Sequence, residues 1–266
     1  MTLPDIQNQV DQRGVALDEV GIDGVRCPTI FDDGSLVQAG IGDFAITVSL
    51  PSERRGTHMS RMVEIVEDLL RTVDPRQLPT VLKQASSKLE VDAMRLGVAL
   101  PVAVRVESPA SGQSAWQTSD VQITGVKNGD AVSVGTKVTA QVTSLCPCSK
   151  AISDYGAHNQ RSDVTVETFG FADDPYPIRV GQLIELARSV GSCPVYPLVK
   201  RPDERFITMA AFDNPAFVED MARDLSVDLR SRTVSHRVSI RNLESIHSHD
   251  AVASVSWTPD AVASRM

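Results

Sequence analysis

Phe44, Ile46, Val48 and Leu50 alternate with smaller or polar residues, the period-two pattern of a half-buried strand. From His58 to Leu70 the spacing changes: Met59, Met62, Val63, Val66 and Leu70 recur at helical intervals, and a second, weaker helix is predicted over about residues 75–91. Strict alternation returns at Leu96, Val98, Leu100, Val102, Val104 and Val106, with Pro101 on the outward face, which predicts an edge position or a bulge there. A turn at Ser108–Gly112 leads to a returning strand through Val121, Ile123 and Val126, and Asn128-Gly129 makes the next turn. The second half repeats this order. Val132, Val134, Val138, Ala140 and Val142 make a long strand, and Val164 and Val166 its partner. Leu183, Leu186, Ala187 and Val190 form one helical stripe, and Phe217, Met221, Ala222 and Leu225 another. Two strands close the chain, one through Val234, His236, Val238 and Ile240 and one through Val252 and Val255. Each half therefore reads as strand-strand-helix-helix-strand-strand, a repeat of pattern without a repeat of sequence. Residues up to about Glu19 are polar and aperiodic, an arm that is mobile or packs on a neighbour. The expected organisation is an arm over 1–20, a first module over 21–130 and a second over 131–266.

Composition narrows the class. Of 266 residues, 42% are hydrophobic and 23% charged, ordinary for a globular protein. No stretch approaches the roughly 20 apolar residues of a membrane span. The start, Met1-Thr-Leu-Pro-Asp-Ile6, has neither a basic nor an apolar run, so the cytoplasm is the expected compartment and no membrane partner is expected. A formal net charge of -8 opposes a nucleic-acid partner, since such proteins carry clustered positive surface. A phosphorylated small molecule remains compatible, provided that local cations receive it.

The soft-ligand inventory is short: four cysteines (Cys27, Cys146, Cys148, Cys193) and five histidines (His58, His158, His236, His247, His249). In a reducing compartment the cysteines are thiols that pack, ligate or attack. Two loops carry more chemistry than a connection needs. Ser144–Arg161 holds Cys146, Cys148, Lys150, His158 and Arg161 between two strands, where hairpin loops usually run about 2 to 5 residues. Glu244–Asp250 holds His247 and His249 between the last two strands. A thiolate with two imidazoles suits zinc or a similar divalent ion, and Cys146, His158 and one of His247 or His249 are the candidates. The same residues also read as two separate polar loops around a buried cysteine. Cys-Pro-Cys is too tight for a zinc knuckle, so at most one of that pair binds metal. His236 lies on an apolar strand face and is expected to be a satisfied core histidine, with Cys27 and Cys193 packing as small hydrophobes.

The run Ser144-Leu-Cys-Pro-Cys-Ser-Lys-Ala-Ile-Ser-Asp-Tyr-Gly-Ala-His-Asn-Gln-Arg161 resembles the signature of the type IB GTP cyclohydrolases. So do Arg55-Gly-Thr-His-Met-Ser-Arg61, Tyr196-Pro-Leu-Val-Lys-Arg-Pro-Asp-Glu204, Asn214-Pro-Ala-Phe-Val-Glu-Asp220 and Glu244-Ser-Ile-His-Ser-His-Asp-Ala251, in order along nearly the whole chain. The resemblance implies an α+β tunnelling fold (T-fold) of tandem ββααββ modules with antiparallel sheets, assembled as an oligomeric barrel. It implies a homo-oligomer similar to a homotetramer, with active sites at subunit interfaces. The implied reaction converts GTP and water to 7,8-dihydroneopterin triphosphate and formate, an entry to folate-type pterins and, in some bacteria, to deazapurines. The implied cofactor is a divalent metal ion: zinc, manganese or iron.

Carried over by position, the resemblance gives Cys146 as the metal-ligating cysteine, His158 as a ligand or proton-transfer group, and Glu204 and His249 as the rest of the metal shell, with Cys146, His158 and the neighbouring His247 as the catalytic residues. Which of His247 and His249 ligates stays open. Glu219 resembles the carboxylate that grips a purine edge, accepting from N1–H and the 2-amino group. Lys150, Arg161, Lys200, Arg201, His58 and Arg61 are candidates for the triphosphate. Family members often carry a glutamate near Met209, so no role is assigned there. Two alternative readings stand beside it: a tunnelling-fold nitrile reductase, with a nucleophilic cysteine, NADPH and no metal, and a non-catalytic purine-binding module.

Overall fold

The computed structural model describes residues 6–7, 9–171 and 174–260. The first half contains β1 (Leu17–Asp32), β2 (Val37–Leu50), α1 (Met59–Leu69), the two-residue β3 (Thr72–Val73), α2 (Leu78–Leu89), β4 (Ala93–Glu107) and β5 (Ser114–Asn128). The second contains β6 (Ala131–Leu145), α3 (Pro147–Ile152), β7 (Asn159–Phe171), α4 (Val180–Ser189), β8 (Cys193–Pro194), α5 (Arg201–Asp213), α6 (Val218–Ser231), β9 (Ser235–Asn242) and β10 (Ala251–Trp257). The fold is mixed α+β with a large, mostly antiparallel sheet, in the strand order β10-β9-β7-β6-β5-β4-β2-β1-β3, with β8 paired to β6. Contacts group the chain into two compact units. One takes the chain to Leu100 with Gln122–Gly135 and Gly170–Tyr176; the other takes Pro101–Val121, Thr136–Phe169 and everything from Pro177.

In the first unit β1 was not marked by the pattern of apolar positions. Its alternation is hidden by register shifts against β2 between Leu17 and Val20 and between Ile22 and Val25. Gly24 sits in the second shift at φ +75, a conformation that suits glycine. The described part of the expected arm packs on its own chain: Val10 bridges Arg54, and the Asp11 N–H donates to Glu53 O at 2.9 Å. On α1 the buried face is Met62, Ile65 and Val66, whereas Met59 and Val63 of the expected stripe are 44% and 41% exposed. Leu78, Leu82, Ala85 and Leu89 of α2 join Phe31, Phe44, Ile46 and Leu96 in this core. Pro101 is not on an edge strand. It follows Ala99, the last β4 residue paired with β2, so its missing N–H costs no bond to that strand.

The β1–β2 turn is organised by Asp33, which is fully buried. One oxygen accepts from the Ser35 N–H, the Ser35 hydroxyl and the Leu36 N–H; the other accepts from the Tyr176 hydroxyl at 2.9 Å. Burial alone would raise its pKa, and these bonds outweigh burial and lower it.

In the second unit, Leu183, Ile184 and Ala187 of α4 and Met221, Ala222, Leu225 and Leu229 of α6 are buried, as are Val138, Val142, Val164, Val166, Val238 and Ile240 of the sheet. The pattern had predicted two helices here. The extra long one, α5, escapes a periodicity reading because its large apolar residues face outward: Phe206, Met209 and Phe212 are exposed, while Asp203 and Ala211 are its buried residues. His236 is the satisfied core histidine expected. Nδ1 lies 2.7 Å from Val234 O, so it carries the proton, and Nε2 accepts from the Ser226 hydroxyl at 2.9 Å. Cys193 is buried and Cys27 half-buried.

Candidate functional site

The candidate residues of the second unit lie on strand ends and the loops between them. β6 ends at Leu145, and Cys146 caps the first turn of α3 with Pro147 following, a residue pre-set for a helix start. The Cys146 N–H donates to His158 O at 3.0 Å, so the long loop returns to its own origin. Cys146 Sγ accepts from the Ser149 N–H at 3.4 Å, and the thiol is free and half-buried. Behind it the 190s segment lies flush on β6, where a Cβ on Gly191 would stand 2.5 Å from Val142 Cβ.

His158 is oriented from behind. Its Nδ1 lies 2.8 Å from Gln160 Oε1, an acceptor, so Nδ1 carries the proton and Nε2 is left with a lone pair. That is the arrangement in which a histidine ligates a metal through one nitrogen while a second partner fixes its tautomer. Ser245 Oγ stands 3.4 Å and Glu244 Oε2 4.0 Å from the same Nδ1. Glu244 Oε2 is buried and has no hydrogen-bond partner among the described residues. Sequence reasoning gave Glu244 no role; its signal was its place at the head of the last loop, where Leu243 N–H donates to Arg161 O at 2.9 Å and returns the chain to β7.

The chemistry of this donor set fits a divalent ion in part. A free thiol and an imidazole with an open Nε2 are neighbours, and an orphaned carboxylate oxygen stands beside the imidazole. Among the described residues, however, no group of three or more His, Cys, Asp or Glu is gathered closely enough to hold a metal. His247 and His249 stack on each other with ring centroids 5.3 Å apart, both exposed. Glu204 is exposed in the first turn of α5, beside Arg201, Arg205, Thr208 and Met209. Of the carried-over shell the structure thus joins Cys146 and His158 through their backbones, while Glu204 and His249 are exposed.

Glu219, in the first turn of α6, lines an open groove of about 410 Å³ with Ala222, Arg223, Val227, Arg230 and Val255. The groove lies along β10, whose pairing among the described residues is with β9 alone. Of the phosphate candidates, Lys200 and Arg201 are exposed at the start of α5, and Arg161 is exposed on β7. Lys150 is turned away: Nζ donates to Phe212 O and sits 4.3 Å over the Phe212 ring. In the first unit, half-buried His58 precedes α1 and exposed Arg61 lies in its first turn.

The start of α5 is held by a buried carboxylate. One Asp203 oxygen accepts from the Ala110 and Ser111 N–H groups, the other from the Ser111 hydroxyl and the Lys200 N–H, at 2.7 to 2.9 Å. Burial pushes its pKa up and these four bonds, prevailing, hold it well below the usual carboxylate range. The Ser108–Gly112 turn, read from sequence as a plain connection, therefore anchors the segment carrying Lys200, Arg201 and Glu204.

Comparison with known proteins gives a consistent answer. Residues 3–253 match the family described as type I GTP cyclohydrolase folE2. The chain is 40% identical to a protein named GTP cyclohydrolase FolE2 from Ralstonia nicotianae, over 94% of this chain and 93% of the relative. The proteins of that name from Paraburkholderia xenovorans and Vesicomyosocius okutanii are also 40% identical, covering 93% and 96% of their lengths. Among solved structures, a hyper-thermostable AgUricase mutant aligns at a TM-score of 0.52 over 92% of each chain with 10% identity, a likeness of fold alone. That fold is the tunnelling fold.

Proposed function

Because the chain belongs to the type I GTP cyclohydrolase folE2 family, we propose that it opens the imidazole ring of GTP at a divalent ion held by Cys146 and His158. The products are 7,8-dihydroneopterin triphosphate and formate, the entry to folate-type pterins. The observation that carries the site assignment is the backbone bond joining Cys146 to His158, with the imidazole fixed from behind by Gln160 so that Nε2 is free to ligate. When bound, the ion supplies the Lewis acidity that makes water a nucleophile near neutral pH.

The chain's own residues do the rest. Glu219 accepts hydrogen bonds from N1–H and the 2-amino group of guanine, which sets the base in one orientation. Lys200 and Arg201, at the start of α5, take the triphosphate, with Arg161, Lys150, His58 and Arg61 as further cations; Lys150 must first leave Phe212. C8 is attacked by water, and an exposed histidine of the last loop, His247 or His249, protonates the departing ring nitrogen. A second hydrolysis releases formate, after which the ribose opens and the pterin ring closes. Glu204 and the other of these two histidines complete the shell when another copy of the chain, or a closed last loop, meets the Cys146–His158 pair. A homotetramer is the assembly we favour, and the arm over 1–20 with modules over 21–130 and 131–266 is its repeating unit. Zinc fits the thiol and imidazole best; a carboxylate in the shell also accommodates manganese or iron. The cytoplasm is the compartment we assign, and no helix among the described residues is long and apolar enough to cross a membrane. The nitrile-reductase reading is disfavoured by the names of the 40% identical relatives.

The test is incubation of metal-reconstituted protein with GTP, with neopterin fluorescence read after oxidation and dephosphorylation and a chelated control alongside. Metal-dependent neopterin is expected. Cys146→Ala abolishes it, whereas Cys148→Ala, which alters an exposed thiol, keeps most of it. Equal activity of the two variants would remove Cys146 from the shell.

A further inference from the structure

Four segments carry the site of the second unit: the end of β6 before Cys146, the start of β7 after His158, the end of β9 before Glu244, and the α5–α6 connection before Glu219. They meet at one buried polar junction centred on Asn242, the last residue of β9. Asn242 is 4% exposed, Ser144 1% and Ser162 0%. The Ser162 hydroxyl donates to Asn242 Oδ1 at 2.6 Å, Asn242 Nδ2 donates to Ser144 Oγ at 2.9 Å, and the Ser144 hydroxyl donates to Ala216 O at 2.8 Å. Two ties from backbone N–H groups flank this relay, one to a carbonyl and one to a hydroxyl: Ala216 N–H to Leu145 O at 3.1 Å, and Leu145 N–H to Ser192 Oγ at 2.9 Å.

Apolar side chains of this volume would hold the strands together at no desolvation cost, whereas a buried amide and two hydroxyls cost free energy unless every link is made. What the polar junction adds is register. The relay runs in one direction and ends on a backbone carbonyl, so it fixes Ala216 against Ser144. Glu219 follows Ala216 by one turn of chain, and Cys146 follows Ser144 by two residues. We propose that Asn242 is a positioning residue, which sets the spacing between the Cys146–His158 pair and the Glu219 carboxylate and so aligns the base of GTP with the ion that opens it. This rests on the reading of those three residues given above. Asn242 itself touches neither substrate nor ion.

The test compares full-length Ser144→Ala, Asn242→Asp and Ser162→Ala with the parent, by apo-protein Zn2+ affinity, KM and kcat for GTP per metal-loaded site, and melting temperature. Ser144→Ala deletes the link to Ala216 O. Asn242→Asp replaces the Nδ2 donor with an acceptor, which draws the Ser144 hydroxyl away from Ala216. Both are expected to lower kcat at least about tenfold, since a misplacement near 1 Å can cost on the order of a hundredfold. Zn2+ affinity stays within about threefold, because the ligand pair is tied by its own Cys146–His158 bond. Ser162→Ala leaves the Asn242–Ser144–Ala216 relay whole and keeps kcat within about twofold on the same argument. Exchange of the Ala216 amide quickens in the first two variants and not in the third. A merely structural junction would lower the melting temperature and leave kcat per loaded site unchanged in all three; that result overturns the proposal. If Asn242→Asp does not fold, Ser144→Ala decides alone. Failure of the parent protein to turn over GTP in any metal would instead remove the cyclohydrolase reading, and is read in a separate arm.

Discussion

Replacing Gln160 by alanine tests whether His158 is held for an ion. Gln160 is 7% exposed, and its Oε1 lies 2.8 Å from His158 Nδ1. A neutral hydrogen bond contributes about 0.5–1.5 kcal/mol, and leaving the inward N–H unpaired costs about 1–3 kcal/mol. Two neighbours limit the loss. Ser245 Oγ is 3.4 Å from the same nitrogen and can close on it, and Glu244 Oε2 is 4.0 Å away. The net penalty therefore sits near the low end of that range, about 1.4–2 kcal/mol, or roughly 10- to 30-fold in ion affinity at about 1.4 kcal/mol per decade. This agrees with the roughly 10- to 100-fold cost of removing a partner behind a ligating histidine. Gln160→Glu sets a carboxylate in the same place, makes the ring a stronger donor to the ion, and is expected to bind as tightly as the parent or more so. Zn2+ competition against a chromophoric chelator at neutral pH measures all three proteins, with circular dichroism confirming the fold. Unchanged affinity in Gln160→Ala, alongside large losses in Cys146→Ala and His158→Ala, would refute the orienting role. Unchanged affinity in all of them would remove the pair from the ion site.

Three further outcomes follow from the packing. Burial lowers the pKa of His236, against a small upward pull from its bond to Val234 O. Below the ordinary value of about 6.5 the unfolded chain therefore binds a proton that the folded chain refuses, and stability falls with pH down to the folded value, by at most about 1.4 kcal/mol per unit. Urea midpoints at pH 7.5 and 5.5 measure that slope, which His236→Phe should flatten; an equal slope would place the acid sensitivity elsewhere. Leu225 is fully buried on α6, the helix that presents Glu219, and Leu225→Ala should cost about 2–5 kcal/mol by chemical denaturation; a cost below about 1 kcal/mol would contradict this packing. Asp203→Asn presents an amide to the Lys200 N–H and should lower the melting temperature and speed exchange at the Ala110 and Ser111 amides. Because the folded pKa of Asp203 is depressed, its contribution is present above about pH 3.9 and is lost as pH falls through that value toward the folded one, so the variant should lack this acid-dependent loss. An identical acid profile would show that the turn is held by other contacts.

How far the sequence could be read depended on what each residue faces. Strands with one buried and one wet face, such as β2, β4 and β9, declare themselves by alternation, and so do helices with a continuous inward stripe, such as α4 and α6. β1 was obscured because two register shifts against β2 break its period. α5 was obscured because its apolar residues point outward and its chief inward anchor is a carboxylate. A buried Asp in a first helical turn looks, in sequence, like any solvent-facing helix cap. The Ser108–Gly112 turn gave no sign of its ties to Leu198 and Asp203, about 90 residues further on, since such pairing leaves no local pattern.

The candidate site follows the same logic. Cys146 and His158 sit 12 residues apart on one loop, and a single backbone bond brings them together, so local excess of soft donors was signal enough. Glu219, Glu204 and His249 come from other elements, and spacing says nothing of their convergence; family resemblance alone placed Glu219 and Glu204, whereas donor chemistry already offered His247 or His249. Asn242 carried no signal of either kind, and Gln160, though inside the signature run, was given no role, because an amide in a strand is chemically bland until its partners are known. On the reading proposed above, these two amides decide whether the pair works as a site. Gln160 sets which nitrogen of His158 is free, and Asn242 sets how far Cys146 stands from the residue before Glu219's turn. The candidate ligand types could be read from the chain, but the proposed geometry is written in buried side chains: Gln160, whose partner lies two residues away, and Asn242, whose partners lie 80 and 98 residues away.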